Sequence, residues 1–203
     1  MKRLTTITLL IWIGFSCFAQ KTDLINDCQI LILRTFHYGD LNPIYQPETD
    51  SINQKFKKAL LNRGISHLDN DYNSDIEPIF KWIYDNSTNE YDDSPDYRRQ
   101  KMRRSICFAT IALLTEFDKA YTFLEYSKVS LIESIEKPDD ELLENQYLGL
   151  IILEIMLKIE NNRLTKSDID KLDKYLTLKK DLIEEQNYLD SQRIINSSKL
   201  IIK

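Results

Sequence analysis

Between Leu148 and Leu157 every position is apolar except Gly149 and Glu154. With its flanks, Asp140 to Asn161, this stretch reads as one helix that is apolar nearly all round. A helix of that kind has no side to give to water, so the fold has to wrap it. The apolar run is too short, and its flanks too charged, for a membrane span, which takes ~20 apolar residues. The stretch is expected to be the central, most enclosed element of the molecule.

The chain around it carries helix punctuation. Glycine is scarce, at 4 of 203 residues, whereas antiparallel sheets spend glycine on turns and bulges. Lys21 to Tyr38 reads as a helix with Leu24, Cys28, Leu31 and Thr35 along one side and Gly39 as its stop. The run Ile30-Leu31-Ile32-Leu33 also suits a buried strand. Asp50 caps a short helix from Ser51 to Arg63, closed by Gly64. Ser74-Asp75-Ile76-Glu77 matches a capping box, which places Pro78 in the first turn of a helix reaching Tyr84. Ser94-Pro95 opens the next helix, Pro138 ends the one after it, and Thr165 caps a last long helix from Lys166 to near Ile195. The expected fold is all-α: an antiparallel bundle of about six to seven helices, with hairpin, repeat-like packing in its C-terminal half.

Thr115-Glu116-Phe117-Asp118-Lys119-Ala120 resembles the turn between the two helices of a tetratricopeptide unit, with Phe117 and Ala120 in their usual places. The likeness stops at that hairpin. Thr115 stands for the usual Gly and Phe108 for a small residue, and no family assignment follows.

Met1 to Gln20 has the layout of a secretory leader: Lys2 and Arg3, an apolar run from Leu9 to Phe15, then Ser16-Cys17-Phe18-Ala19-Gln20. Small residues at Cys17 and Ala19 fit cleavage after Ala19. Residues 1–19 are then a signal peptide, and residues 20–203 a single helical domain working in the periplasm or outside the cell. A domain of that length buries roughly 70% of its unfolded surface. The rival is lipoprotein processing at Cys17, which would tether the domain to the membrane. Ser16 fits a lipobox, but Gly14 stands where an aliphatic residue is usual. Beyond Ala19 only Cys28 and Cys107 remain, and they either bridge or stay as two buried thiols.

The whole chain carries a net charge of −5, and loss of the leader removes Lys2 and Arg3 but no acid. That balance disfavours nucleic acid, whose recognition needs a basic footprint, and it disfavours anionic membrane surfaces. It suits a basic protein partner. No membrane span is expected after leader removal, no cofactor is implied, and the oligomeric state is open. The two histidines, His37 and His67, lie in different segments, and the sequence has no nucleophile elbow, His-Glu-x-x-His, Cys-x-x-Cys or phosphate loop. The chain reads as non-enzymatic. Asp69, Asp71, Asn73 and Asp75 place oxygens at alternate positions as an EF-hand calcium loop does. Ser74 replaces the turn Gly and Phe80 the closing Glu, so this is a weak calcium candidate.

From Asp69 to Asp96 acids alternate with aromatic residues. Tyr72, Trp82, Tyr84, Glu90, Tyr91, Asp92, Asp93, Asp96 and Tyr97 form the candidate partner-binding set. Tyr and Trp supply contact area at low entropy cost, and carboxylates steer a cationic partner. The competing reading puts Phe80 and Trp82 in the core. Arg98, Arg99, Lys101, Arg103 and Arg104 follow at once and oppose the dipole of the helix they open; Asp92, Asp93 and Asp96 are the nearest anions to offset them. The expected function is protein binding in the cell envelope, in its concrete form an immunity-type protein neutralising a basic toxin or envelope enzyme. A lipid-anchored scaffold and a calcium-stabilised domain are the alternatives.

Overall fold

The structure, a computed structural model, describes residues 2–37, 47–63, 72–85, 95–134 and 141–202. Within them it describes the side chains from Ala19 onward, apart from those at 37, 47–52, 72–75 and 95–99. The described residues form eight α-helices and one 3₁₀ turn, and no strand. The helices are α1 (Lys2–His37), α2 (Pro47–Leu61), α3 (Tyr72–Asp85), α4 (Pro95–Leu114), α5 (Phe117–Ile132), α6 (Glu141–Glu160), α7 (Lys166–Leu178) and α8 (Glu185–Ile201), with the 3₁₀ turn at Lys180–Leu182. The fold is all-α as the punctuation predicts, and Ile30 to Leu33 is helical. Among the described residues no helix is long and apolar enough to cross a membrane.

The apolar helix α6 is the central rod. Leu148, Leu150, Ile152, Leu153 and Met156 are completely buried. α1 and α5 pack along α6, α8 packs on α1, and α2 and α3 pack on α4. The stripe Leu24, Cys28, Leu31 and Thr35 is the buried side of α1. Where α1 crosses α6, the missing side chain of Gly149 is what lets the two backbones meet. A Cβ built there would lie 2.2 Å from Thr35 Oγ1.

The C-terminal end of α6 is closed by two tight bonds, Arg163 N–H to Lys158 O (2.8 Å) and Asn162 N–H to Ile159 O (3.1 Å). Asn162 takes the left-handed conformation this closure needs, with φ of 55°. Lys21 adds a cation at that negative helix end, donating to Glu160 O at 3.1 Å and to Asn162 Oδ1 at 2.9 Å.

Several elements differ from the sequence reading. α1 runs from Lys2 rather than Lys21, and α2 starts at Pro47 and ends at Leu61, so Asp50 lies inside the helix rather than capping it. α3 starts at Tyr72, ahead of Ser74, so Pro78 lies inside the helix rather than in its first turn. The expected continuous helix after Thr165 is divided into α7 and α8, which takes the helix count to eight. Thr165 does cap α7, with a reciprocal bond from Thr165 N–H to Asp168 Oδ2 at 2.9 Å. The break beyond it is held by the buried Asn145 of α6. Its amide nitrogen donates to Leu182 O (3.2 Å), and its oxygen accepts from Glu184 N–H (3.2 Å) and Asn187 Nδ2 (2.9 Å). These side-chain bonds satisfy backbone groups that leave the helical ladder.

A further difference concerns the thiols. Cys28 and Cys107 are free and buried, so the alternative of a bridge between them is not realised. Cys28 packs in the main core, whereas Cys107 packs with Ile79 and Ile111 in a second cluster between α3 and α4. Burial pushes the Cys107 thiol up to about 12. Burial also raises Cys28, with Asp27 and Glu160 adding to the effect.

Candidate functional site

α3, α4 and α5 carry a continuous aromatic face. Ile79 on α3 turns inward onto Cys107 and Ile111, which leaves its neighbour Phe80 turned outward, 43% exposed. Phe80 meets the edge of Phe123 on α5 at 5.8 Å between ring centroids. Phe123 in turn contacts Phe108 on α4 (6.5 Å) and Tyr126 on α5 (6.3 Å), and Phe108 reaches Tyr126 at 5.4 Å. Tyr84 stands one turn beyond Phe80 on the same side of α3 and is 79% exposed. Val129, one turn beyond Tyr126, is 51% exposed. Aromatic rings held by one another and still facing water lose little entropy when a partner covers them.

Of the residues singled out in the sequence, the structure brings two into this region with their side chains. Tyr84 extends the exposed face. Trp82 turns the other way and is half-buried against the Ile79–Cys107–Ile111 cluster, as the core reading has it; Phe80 is exposed, against that reading. Glu90, Tyr91, Asp92 and Asp93 lie outside the described residues. So do the side chains of Tyr72, Asp96 and Tyr97, whose backbones belong to α3 and α4. The side chain of Cys17, the alternative lipid site, is likewise outside, on α1.

Asp69 and Asp71, half of the calcium candidate, are also outside. Asn73 and Asp75 stand on α3, and a helical backbone does not converge alternate residues on one ion as a calcium loop must. Among the described residues no group of three or more His, Cys, Asp or Glu side chains could hold a metal.

The basic cluster at the start of α4 divides. Lys101 crosses to Glu133 on α5, Nζ to Oε2 2.5 Å. Arg103 and Arg104 are half-exposed and make no ion pair among the described residues. The side chains of Arg98 and Arg99 lie outside the described ones.

A second constellation, which the sequence pattern does not announce, lies along the one side of α6 that is not sealed. Glu154 accepts from Lys128 of α5 at Oε2 (2.5 Å) and from Lys158 at Oε1 (2.6 Å). Lys158 continues to Asp168 Oδ1 of α7 at 2.7 Å, and Lys128 to Glu125 at 2.8 Å. The side chains of Lys128, Glu154, Lys158 and Asp168 are only 11, 15, 12 and 9% exposed. Burial alone would drive Glu154 up and both lysines down, but their mutual attraction and hydrogen bonds win. Glu154 is held below the usual carboxylate range and Lys128 and Lys158 above the usual ammonium range. Burial would likewise raise Asp168, and hydrogen bonds from Lys158 and Thr165 bring it down instead.

Toward the other end of α6, Glu144 accepts from Tyr175 Oη at 2.7 Å and from Lys179. Burial and then Glu144 raise the Tyr175 phenol. Every carboxylate oxygen of Glu154 and Asp168 is thus taken by a partner in the same chain. The arrangement ties α5, α6 and α7 together. The spacing of Glu154 and Lys158 is legible in the sequence, but Lys128 and Asp168 come from other helices and only the packing joins them. Phe108, Phe123 and Tyr126 escape a sequence reading for the same reason.

Comparison with family models, with curated proteins and with solved structures finds no match to this chain.

Proposed function

We propose that this chain is an exported binding domain that recognises a basic protein through the α3–α5 aromatic face and the acidic residues of the Asp69–Asp96 stretch. The observation that carries the reading is the exposure of Phe80 and Tyr84 on a helix whose other side is anchored by Ile79. A small helical domain gains nothing in stability from placing a tyrosine 79% in water, whereas aromatic anchors of this kind dominate binding hot spots. The net charge of −5 favours a cationic partner by steering its approach. An immunity-type role, neutralising a basic toxin or an envelope enzyme, is the concrete form this takes.

The test is capture from envelope extract by the tagged protein at low and high salt, with Tyr84→Ser and Phe80→Ser beside the wild type. Loss of a hot-spot ring costs ≥2 kcal/mol, so each variant should bind at least about 30-fold more weakly; Tyr84→Ser should melt as the wild type does, whereas Phe80→Ser also loses its edge contact with Phe123. Reversing the charges of Asp92 and Asp93 should flatten the salt dependence. A partner held equally well by all variants would show that this face is not the binding surface.

A further inference from the structure

Just beyond the expected cleavage point, side chains tie α1 to the rest of the molecule. Ala19 and Gln20 are exposed, and the Gln20 carboxamide makes no hydrogen bond among the described residues. Lys21 then donates to Glu160 O at 3.1 Å and to Asn162 Oδ1 at 2.9 Å, closing the end of α6. Among the described side chains, Leu24 is the first that is buried. A cut between Ala19 and Gln20 would keep all of these anchors and make Gln20 the first residue of a helix.

That position has its own chemistry. A free α-ammonium at a helix start sits on the positive end of the dipole, where it is disfavoured. The first amide nitrogens of a helix also lack intrahelical acceptors, so the nitrogen of Gln20 has no ladder bond to give up. α-Amino groups ordinarily titrate at about 7.7–8.0, which leaves a neutral, nucleophilic fraction near neutrality. The neutral nitrogen reaches the side-chain Cδ by closing a five-membered ring. The N–Cδ bond forms, the Cδ–NH₂ bond breaks, and the amide leaves as ammonia with the proton released by the attacking nitrogen. Nothing is oxidised or reduced. The product is an uncharged lactam.

We propose that Gln20 is a modification site, converted after export to an N-terminal pyroglutamate that closes the start of α1 as a neutral, amine-free terminus. The proposal rests on reading residues 1–19 as a cleaved leader. Its consequence is protective. Aminopeptidases bind a free α-ammonium, and stepwise trimming from Gln20 would next remove Lys21, the clamp on the end of α6. Three residues further it would reach Leu24. The lactam denies that first cut.

The experiment is intact mass measurement of the protein purified from its producing cells, followed by fragmentation of the N-terminal segment. The expected species is residues 20–203, one ammonia lighter than the unmodified chain and refractory to stepwise N-terminal degradation. Residues 20–203 at full mass with a free amine would overturn the lactam and leave the export reading standing. A chain that retains residues 1–19, or one lipidated at Cys17, would overturn the export reading and the proposal with it. Gln20→Asn, which could close only a strained four-membered ring, should give the same cut with an open amine. Added aminopeptidase should shorten that variant and spare the wild type. Equal resistance of the two would refute the protective role.

Discussion

Gly149→Ala puts the crossing of α1 and α6 to the test. The new Cβ falls 2.2 Å from Thr35 Oγ1, 3.0 Å from a Phe36 ring carbon and 3.1 Å from Thr35 Cβ. Non-bonded heavy atoms settle at about 3.5 Å or beyond, so Thr35 or the whole helix has to shift by about 1 Å. Thr35 is fully buried and its hydroxyl donates to Ile32 O at 2.9 Å. Rotating it away strands a buried hydroxyl, at about 1–3 kcal/mol, and spreading the helices costs about as much through overpacking. The better helix propensity of alanine returns about 1 kcal/mol. From the middle of that range the expected net loss is about 1 kcal/mol, read in urea as a lower midpoint with an unchanged slope. In a domain of this size each kcal/mol also takes about 2–4 °C from Tm. Thr35→Ala removes the clashing oxygen, so in the double variant the cost of Gly149→Ala should fall by at least ~0.5 kcal/mol. A Gly149→Ala protein as stable as the wild type, or strict additivity in the double variant, would refute the argument.

Other consequences are equally open to measurement. Asn145→Ala leaves Leu182 O, Glu184 N–H and Asn187 without their partner; a loss above ~2 kcal/mol and earlier amide exchange around residues 179–187 should follow. Cys28 and Cys107 are buried and their thiols are held protonated, so a thiol reagent should label neither until denaturant is added. Glu154→Gln removes the anion shared by Lys128 and Lys158. The cost should sit toward the low end of the ~3–5 kcal/mol typical of a broken buried pair, because Glu125 and Asp168 still hold the two lysines. The same network sets the pH profile. Glu154 and Asp168 are lowered from 4.5 and 3.8 in the folded chain. Their contribution is therefore complete above those values and is lost as pH falls through the lower folded ones. Lys128 and Lys158 are raised from 10.5, so theirs is complete below that value and is lost only as pH rises past it. Stability should fall in acid, less steeply in Glu154→Gln; an identical acid limb in that variant would show that the network does not couple to folding.

Some elements are legible in the amino-acid sequence because local chemistry sets them. The stripe of α1, the all-round apolarity of α6, the cap at Thr165 and the start of α4 at Pro95 each depend on residues within a turn or two of one another. What the sequence hides depends on residues far apart. The stretch from Lys166 to near Ile195 has no proline or glycine to mark the division between α7 and α8. The break is held by Asn145, which reaches it from another helix. The role of Gly149 is hidden too, because spacing alone cannot show that Thr35 packs on it. The candidate interface is half legible. Tyr84 stands out in the acidic–aromatic stretch, whereas Phe108, Phe123 and Tyr126 join the same face only through the α4–α5 hairpin.

The distribution of polar and aromatic groups bears on what the domain does. Three of its enclosed acids are held on both oxygens: Glu154 by two lysines, Asp168 by Lys158 and Thr165, Glu144 by Tyr175 and Lys179. Glu160 is held by Arg63 at Oε2, while its buried Oε1 has no partner among the described residues. A carboxylate whose two oxygens are both bonded cannot take a proton from a substrate without first giving up a lysine, and the lowered values of Glu154 and Asp168 make them poor bases besides. The aromatic groups show the opposite balance. Phe80, Tyr84 and Tyr126 stay exposed although Ile79, next to Phe80 in the chain, is buried in an apolar cluster. The exposed rings are what the proposed surface recognition rests on, and the salt-resolved capture experiment tests it.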